Sequence, residues 1–239
     1  MKFFKKLAIV FFDIIDLYYH QRKILKFLEK NNVNLKIFFD VGSHMGTYTD
    51  LVIRKFKKCK ILMFEPQLDI FKKIKIKYRY KTNIKIFNYA ISNKSIQKKM
   101  YINQHNLTSS LCPLDVKNNR YLQLKAKLFG TTASGMILKK INVKTRKLAS
   151  IIKFKKIKKI DLMKIDTEGH ELEVLKGIQK AIKNIRYILI EFHNDKIYLS
   201  YNPKKVHNYL IKNNFVLKKV CKFPFTTWED RFYFNTKFK

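Results

Sequence analysis

From residue 36 onward the chain alternates short apolar runs with stretches in which apolar positions recur three and four residues apart. The runs Lys36–Val41, Lys60–Glu65, Ile84–Ala90, Ile160–Asp166 and Arg186–His193 predict strands. Thr47–Lys57, Gln67–Tyr78, Glu171–Lys183 and Pro203–Asn213 predict helices, and strands alternating with helices are the pattern of a parallel sheet covered by helices. The closing stretches "FVLKKVCKF" and "DRFYFNTKF" alternate apolar and polar positions, as a pair of antiparallel strands does. Between residues 92 and 141 the pattern weakens, and this part reads as an insertion over the sheet edge. The expected organisation is one domain over residues 36–239, preceded by a helical segment over residues 1–35.

Composition narrows this picture in two ways. The 239 residues, 46% of them hydrophobic, suffice for one sizeable core. Cys59, Cys112 and Cys221 are odd in number, far apart and in no metal-ligand spacing, which excludes a disulfide framework or zinc site and makes a reducing cytoplasm the expected location. The net charge of +35 would ordinarily point to nucleic acid or an anionic membrane. Here the excess is mostly lysine spread along the whole chain, whereas phosphate and base-edge recognition favours the planar fork of arginine. Abundant Lys, Ile, Asn and Phe is the coding bias of an AT-rich genome, so a specific nucleic-acid partner is not expected. The apolar run Leu7–Phe12 is broken by Asp13 and Asp16, and no small-residue cleavage site follows. A leading helix packed on the domain is the favoured reading; the alternative is an amphipathic helix lying on an anionic membrane through Lys2, Lys5 and Lys6.

The most informative stretch is "KIFFDVGSHMGTYTD", a strand ending in Asp40 and turning on Gly42 and Gly46. A P-loop needs Gly-Lys-Ser/Thr, and Thr47 follows Gly46 with no lysine. A dinucleotide fingerprint needs a glycine where His44 stands, so a pyrophosphate ligand is disfavoured. A ligand with an amine for Asp40 to attract remains, and S-adenosylmethionine fits. In "ILMFEPQ", Glu65 ends the next strand, where an acid accepts hydrogen bonds from both hydroxyls of a ribose. The plainer alternatives are that the glycines only close a strand-to-helix turn and that Glu65 is a solvated strand end.

"FFDVGSHMGTYT", "MFEPQLDIFKKI", "NYAIS", "TSSL", "LMKIDTEGHELEVLKGI" and "ILIEFH" occur in the order seen in the FkbM family of S-adenosylmethionine-dependent methyltransferases, which the chain resembles over about residues 36 to 236. The resemblance implies a Rossmann-like class I methyltransferase fold of the α/β class: a mostly parallel seven-stranded sheet with a C-terminal antiparallel pair and helices on both faces. It implies O-methylation of a sugar or small hydroxylated natural product. It places Asp40, Gly42, Ser43 and Gly46 at the methionine end of the cofactor, Glu65 at the ribose and Ala90 at the adenine edge. Two departures stand out: His44 replaces the frequent Asn, and "TRKLASII" replaces the usual Leu-Asp-Asp, with Ala149 at the first Asp.

A sulfonium methyl is already activated, so the enzyme has to align an acceptor and manage one proton. In such a topology Asp166 ends beside the cofactor strand, and Glu191 and His193 end beside Asp166 on one face of the next strand. An ordinary carboxylate is a weak base for an alcohol, leaving three routes: His193 takes the proton, a carboxylate is desolvated upwards, or a divalent metal lowers the hydroxyl's pKa. Asp166, His193 and Glu168 are the catalytic candidates, and Asp166, Glu191 and His193 the metal candidates. Glu168 has a plainer role in the first turn of the following helix, and His170 reads as structural. "NLTSSL" offers hydroxyls to a polyol or the cofactor, or simply forms a turn. Phe223, Phe225 and Trp228 read as packing of the last strand pair rather than a sugar platform. The competing function is a basic RNA- or membrane-binding protein on a methyltransferase fold, or a nucleic-acid methyltransferase; "IDTEGH" stands where base-amino methyltransferases carry Asn/Asp-Pro-Pro-aromatic.

Overall fold

Residues 21–31, 33–103, 108–128, 130–223 and 227–238 are described by a computed structural model. Strand β1 (Ile37–Val41) opens the central sheet, its first amides anchored where Lys36 and Ile37 donate to Asp161 Oδ2 at 2.9 and 3.0 Å. It leads into α2 (Thr47–Lys55), β2 (Lys60–Phe64), α3 (Leu68–Lys77) and β3 (Ile84–Phe87), while α1 (Gln21–Lys30) precedes it. Across the sheet, β7 (Ile160–Ile165), α6 (Glu171–Ile178), β8 (Ile185–His193), α7 (Pro203–Lys212), β9 (Phe215–Lys222) and β10 (Trp228–Asn235) complete the order β3-β2-β1-β7-β8-β10-β9. Strands β3, β2, β1, β7 and β8 pair in parallel and β10 is antiparallel to both β8 and β9, which matches the expected sheet with its C-terminal antiparallel pair. The chain runs outward from β1 in one direction, then returns to β7 on the other side. The switch point therefore lies between β1 and β7, where ligands of open α/β sheets bind at the carboxyl ends of strands.

Every residue of β7 is buried, as a strand covered on both faces requires. On one face Phe39, Val41, Met163, Ile165, Ile188 and Ile190 pack beneath α6 and α7; on the other Phe38, Ile61, Leu162 and Leu189 pack beneath α1, α2 and α3. Helix α1 docks through Ile24, Leu25 and Leu28, and Phe27 meets Phe232 edge-on at 5.2 Å. The membrane-lying alternative for Lys2, Lys5 and Lys6 falls outside the described residues. No described helix is long and apolar enough to cross a membrane.

Several elements differ from the periodicity reading. The third strand stops at Phe87, the chain bends at Asn88 and Tyr89, and Ala90–Ile91 forms a separate strand, β4, paired with Thr145 and Arg146. The region read as a patternless insertion contains β5 (Gln97–Asn103), α4 (Arg120–Leu128) and the first half of β6 (Ile137–Arg146), and with β4 these strands build a second sheet in the order β4-β6-β5. A separate small core of Cys112, Leu114, Leu122, Ala126 and Met136 closes on Ile197 and Tyr198. Lysines on the exposed face of β6 mask its alternation. A helix missed in the sequence, α5 (Leu148–Phe154), buries Leu148 and Ile152 in the main core, which puts the "TRKLASII" departure in a packing element. Helix α6 ends early because Gln179 turns to φ 54, and a 3₁₀ stretch continues to Asn184.

Candidate active site

At the end of β1, Asp40 is buried with one oxygen satisfied: Thr49 Oγ1 donates to Oδ2 at 2.6 Å, and Oδ1 has no partner. Ser43 Oγ in the following turn is also buried and unpartnered. Such groups are expensive to bury unless something bonds them. A buried acceptor and a buried hydroxyl at the end of one strand and its following turn suit the amino-acid end of S-adenosylmethionine. The glycines of this turn answer to the protein's own packing. Gly42, at φ 82, would place a Cβ 1.8 Å from the carbonyl oxygen of Asp166, and Gly46, at φ 74, would place one 2.4 Å from Tyr78 Oη. Tyr78 in turn donates to the Gly46 carbonyl at 2.8 Å. The close approach of Gly42 to Asp166 brings the ends of β1 and β7 together at the switch point, and Gly46 packs against the end of α3.

Glu65 ends β2 turned inward. Its Oε2 accepts the His44 amide at 2.9 Å and its Oε1 the Gln67 amide at 2.8 Å, so the carboxylate braces the Gly42–Gly46 turn, and each oxygen keeps a lone pair. Burial pushes its pKa up to about 7 against the pull of these two amides. Asn88 donates to the carbonyls of Glu65 and Pro66 at 3.0 Å each, fixing the bend that carries Ala90 into the second sheet. Ala90 is therefore not the end of β3 but the start of β4.

On β7, Lys164 and Asp166 share a face, with Lys164 Nζ 2.6 Å from Asp166 Oδ2. Burial raises the Asp166 pKa and the neighbouring ammonium lowers it, with a net downward shift. The loop after β7 is organised by Glu171, whose Oε1 accepts from the Thr167 amide, Thr167 Oγ1 and the Gly169 amide at 3.0–3.1 Å. Burial pushes Glu171 up to about 7. Glu171 thus fills the helix-start role suggested for Glu168, which points elsewhere. Glu168 holds φ 55, a costly conformation for a residue with a side chain. Ser110 Oγ donates to its carbonyl and Tyr198 Oη to its carboxylate, which hold it there. Ser110 belongs to the "TSSL" stretch, and Ser109 Oγ accepts the Asn103 amide at 3.2 Å. These hydroxyls brace loops; Asn106 lies outside the described residues. His170 is buried against Ser92 Oγ at 3.0 Å, as its structural reading requires.

Strand β8 adds Glu191 and His193 on the same face. His193 Nε2 lies 3.4 Å from Glu168 Oε2 and 3.6 Å from Glu191 Oε2. Burial and the negative charge of Asp166 raise Glu191 well above the carboxylate range. The geometry changes the expected metal set: Glu168, Glu191 and His193 present ligand atoms within 4.8 Å of one another, whereas Asp166 is engaged by Lys164. Asp166 remains the more open group, its side chain 32% exposed against 5% for His193. Tyr198 and Tyr201 stand edge-on to the His193 ring at 5.1 and 5.7 Å, and Tyr201 Oη accepts the His193 amide at 3.2 Å. Trp228 lies opposite His193 on β10 and stacks on the buried Phe223 at 4.1 Å, so strand-pair packing accounts for both; Phe225 lies outside the described residues.

Sequence reasoning missed Lys164, Glu171, Tyr198 and Tyr201. Lys164 was legible as a charged residue inside an apolar strand. The tyrosines of "KIYLSYNP" gave no periodic signal because they lie in the loop after β8.

The sequence pattern of the FkbM methyltransferase domain matches residues 40–217. The hexuronic acid methyltransferase AglP of Haloferax volcanii is 21% identical over 174 residues, which are 72% of this chain and 62% of that protein. The methyltransferase sdnD of Sordaria araneosa is 26% identical over 169 residues, 64% of each. The matched part of the chain spans somewhat less than two thirds of the length of these curated relatives. A solved S-adenosylmethionine-dependent methyltransferase from Clostridium acetobutylicum aligns with a TM-score of 0.52 at 11% identity, covering 97% of this chain and 98% of that one. Magnesium protoporphyrin IX methyltransferase from Synechocystis, solved with SAH bound, aligns at 0.50 and 9% identity, covering 90% and 82%. These two likenesses establish the fold as that of class I methyltransferases, and the domain match over most of the described sheet establishes more: this chain belongs to the FkbM methyltransferase family.

Proposed function

We propose that the chain is an S-adenosylmethionine-dependent O-methyltransferase acting on a hydroxyl of a sugar or small hydroxylated acceptor. The observation that carries this reading is the pair of unpartnered buried oxygens, Asp40 Oδ1 and Ser43 Oγ, one strand away from Asp166 and Glu168 and two from Glu191 and His193. S-adenosylmethionine supplies a methyl group already activated on a sulfonium. Asp40 and Ser43 receive its amino-acid end, the turn on Gly42 and Gly46 sets their spacing, Glu65 offers its remaining lone pairs to the ribose, and the Asn88–Ala90 bend borders the base. The acceptor hydroxyl lies at the more open Asp166, where orientation accounts for most of the rate. His193 takes its proton, and Glu168, 3.4 Å away and fixed by Tyr198, stabilises the imidazolium. The clustering of Glu168, Glu191 and His193 favours a second route, in which these side chains hold a divalent ion that acidifies the hydroxyl.

A sugar acceptor is supported by the hexuronic acid named for AglP and by an acid- and hydroxyl-rich site with no Asn/Asp-Pro-Pro-aromatic stretch. Incubation with methyl-labelled S-adenosylmethionine and panels of uronic acids, neutral sugars and RNA tests the proposal. Label in the sugar arm is expected; transfer to RNA alone would replace it with the nucleic-acid alternative.

A further inference from the structure

In a chain with 52 lysines and arginines, Lys164 stands apart: it is 8% exposed and sits in the middle of the sheet. Parallel register sets it opposite Asp40 on β1, and strand alternation sets it on the same face as Asp166. Its ammonium is 2.6 Å from Asp166 Oδ2 and 5.6 Å from the centre of the Tyr48 ring. Asp40 is faced by Lys164 and Asp166 from β7, by Thr49 and Asp50 from α2, and by Glu65 at the end of β2. Glu191 and His193 on β8 and Asp230, the register partner of Glu191 on β10, are the further titratable groups around the lysine and Asp166.

We propose that Lys164 is a positioning residue: gripped by Asp166 and lying beside Asp40, its ammonium keeps Asp40 as the anion that the amino group of S-adenosylmethionine meets. The inference rests on the cofactor reading given above. Its physical ground is crowding. Asp40, Glu65, Asp166, Glu191 and Asp230 converge on one buried end of the sheet, and carboxyls packed this way hold protons unless a cation opposes them. Burial already pushes Asp40 upward, with Lys164 the largest opposing influence. Without the lysine, Asp40 would carry a proton that cofactor binding has to expel. The acceptor-side acid and the cofactor-side acid thus answer to the same lysine.

The test is calorimetric binding of S-adenosylhomocysteine from about pH 6 to about pH 8, in buffers of differing ionisation enthalpy, for wild type, Lys164→Met, Lys164→Arg and the double variant Lys164→Met/Asp166→Asn. Wild type should show only the shallow pH dependence and partial proton release that Glu65, at about 7, contributes. Lys164→Met should lose affinity more steeply as pH falls, by up to about tenfold per pH unit beyond wild type, and release more protons on binding. Lys164→Arg should restore the wild-type profile. If Lys164→Met does not fold, the double variant, which removes both members of the pair at similar volume, is read in the same way. A folded methionine or double variant whose profile and proton release match those of wild type overturns the inference alone. Wild type that binds no S-adenosylhomocysteine overturns both the cofactor reading and the inference.

Discussion

The ring of Tyr198 stands where a side chain at position 169 would have to go: a Cβ on Gly169 would lie 2.6 Å from Tyr198 Cγ. Gly169 is also at φ 90, and the same tyrosine donates to the Glu168 carboxylate, so glycine and tyrosine together fix the loop that carries Glu168. Gly169→Ala should destabilise the protein by about 1–3 kcal/mol, the usual scale of overpacking, and displace Glu168 with a loss of turnover. Tyr198→Phe keeps the volume and removes the donor; it should lower activity with a smaller effect on urea unfolding. Wild-type stability in Gly169→Ala would contradict the contact.

A second expectation concerns Glu65. Glu65→Ala removes the proposed ribose acceptor and should weaken S-adenosylmethionine by about 1.5–3 kcal/mol, the scale of hydrogen bonds to a charged group. It also strips the His44 and Gln67 amides of their shared acceptor, so the melting temperature should fall as well. Calorimetry showing unchanged affinity in the folded variant would remove Glu65 from the cofactor site.

The catalytic group divides by substitution. Asp166→Asn should slow methyl transfer by roughly 10²-fold or more while cofactor affinity changes little. His193→Ala should cause a comparable loss if the imidazole takes the proton, and activity should then be indifferent to chelators. Loss on chelation with recovery on adding a divalent ion would instead assign Glu168, Glu191 and His193 to a metal. A wild-type rate for Asp166→Asn on a verified acceptor would end its proposed role.

His170 makes a contribution of definite sign to the pH dependence of stability, opposite to that of the raised carboxyls Glu65 and Glu171. Burial, with Lys98 adding, pushes its pKa down to about 3, so the folded chain keeps it neutral while the unfolded chain protonates it near the ordinary value. The unfolded state therefore binds more protons below about pH 6.5, and this contribution to stability is lost as pH falls from there towards 3, at up to about 1.4 kcal/mol per pH unit. In urea unfolding, the stability of His170→Gln relative to wild type should therefore rise as pH falls through that range. Parallel profiles for the two proteins would contradict it.

The excess lysine leads to an expectation about RNA. Binding should be weak and fall steeply with added salt, because scattered lysines make delocalised phosphate contacts. Filter binding at several salt concentrations measures the slope. Tight, sequence-selective binding at physiological salt would reverse the ranking of the two functions.

The central sheet was legible because β1, β2, β7 and β8 are apolar runs bounded by clear turns, and the ends of these runs named Asp40, Glu65, Asp166 and His193. What escaped the sequence has identifiable causes. The second sheet hides behind lysines on β6, whose buried positions are mainly Val143 and Thr145. Glu171 and Glu168 differ in role through the left-handed turn between them, a conformation that residue identity signals only at Gly169. Lys164 gains meaning from partners that are near only in space, on β1 and β10. The glycines of the first turn show the opposite case: their spacing pointed to a ligand, and their immediate neighbours are protein atoms.

Ser110 joins the added lobe to the central sheet by donating to the Thr167 and Glu168 carbonyls, and Leu114 bridges to Tyr198 nearby. Those contacts end on the loop that presents Glu168, whereas Asp40 and Glu65 are braced from β1, α2 and the turn after β2. The Glu168 loop is thereby the part of the site that drift in the lobe reaches most directly: on the proposed reading, substitutions around Ser110 would alter the acceptor side through this one loop while the hydrogen bonds that brace the Asp40 and Glu65 carboxylates stay in place.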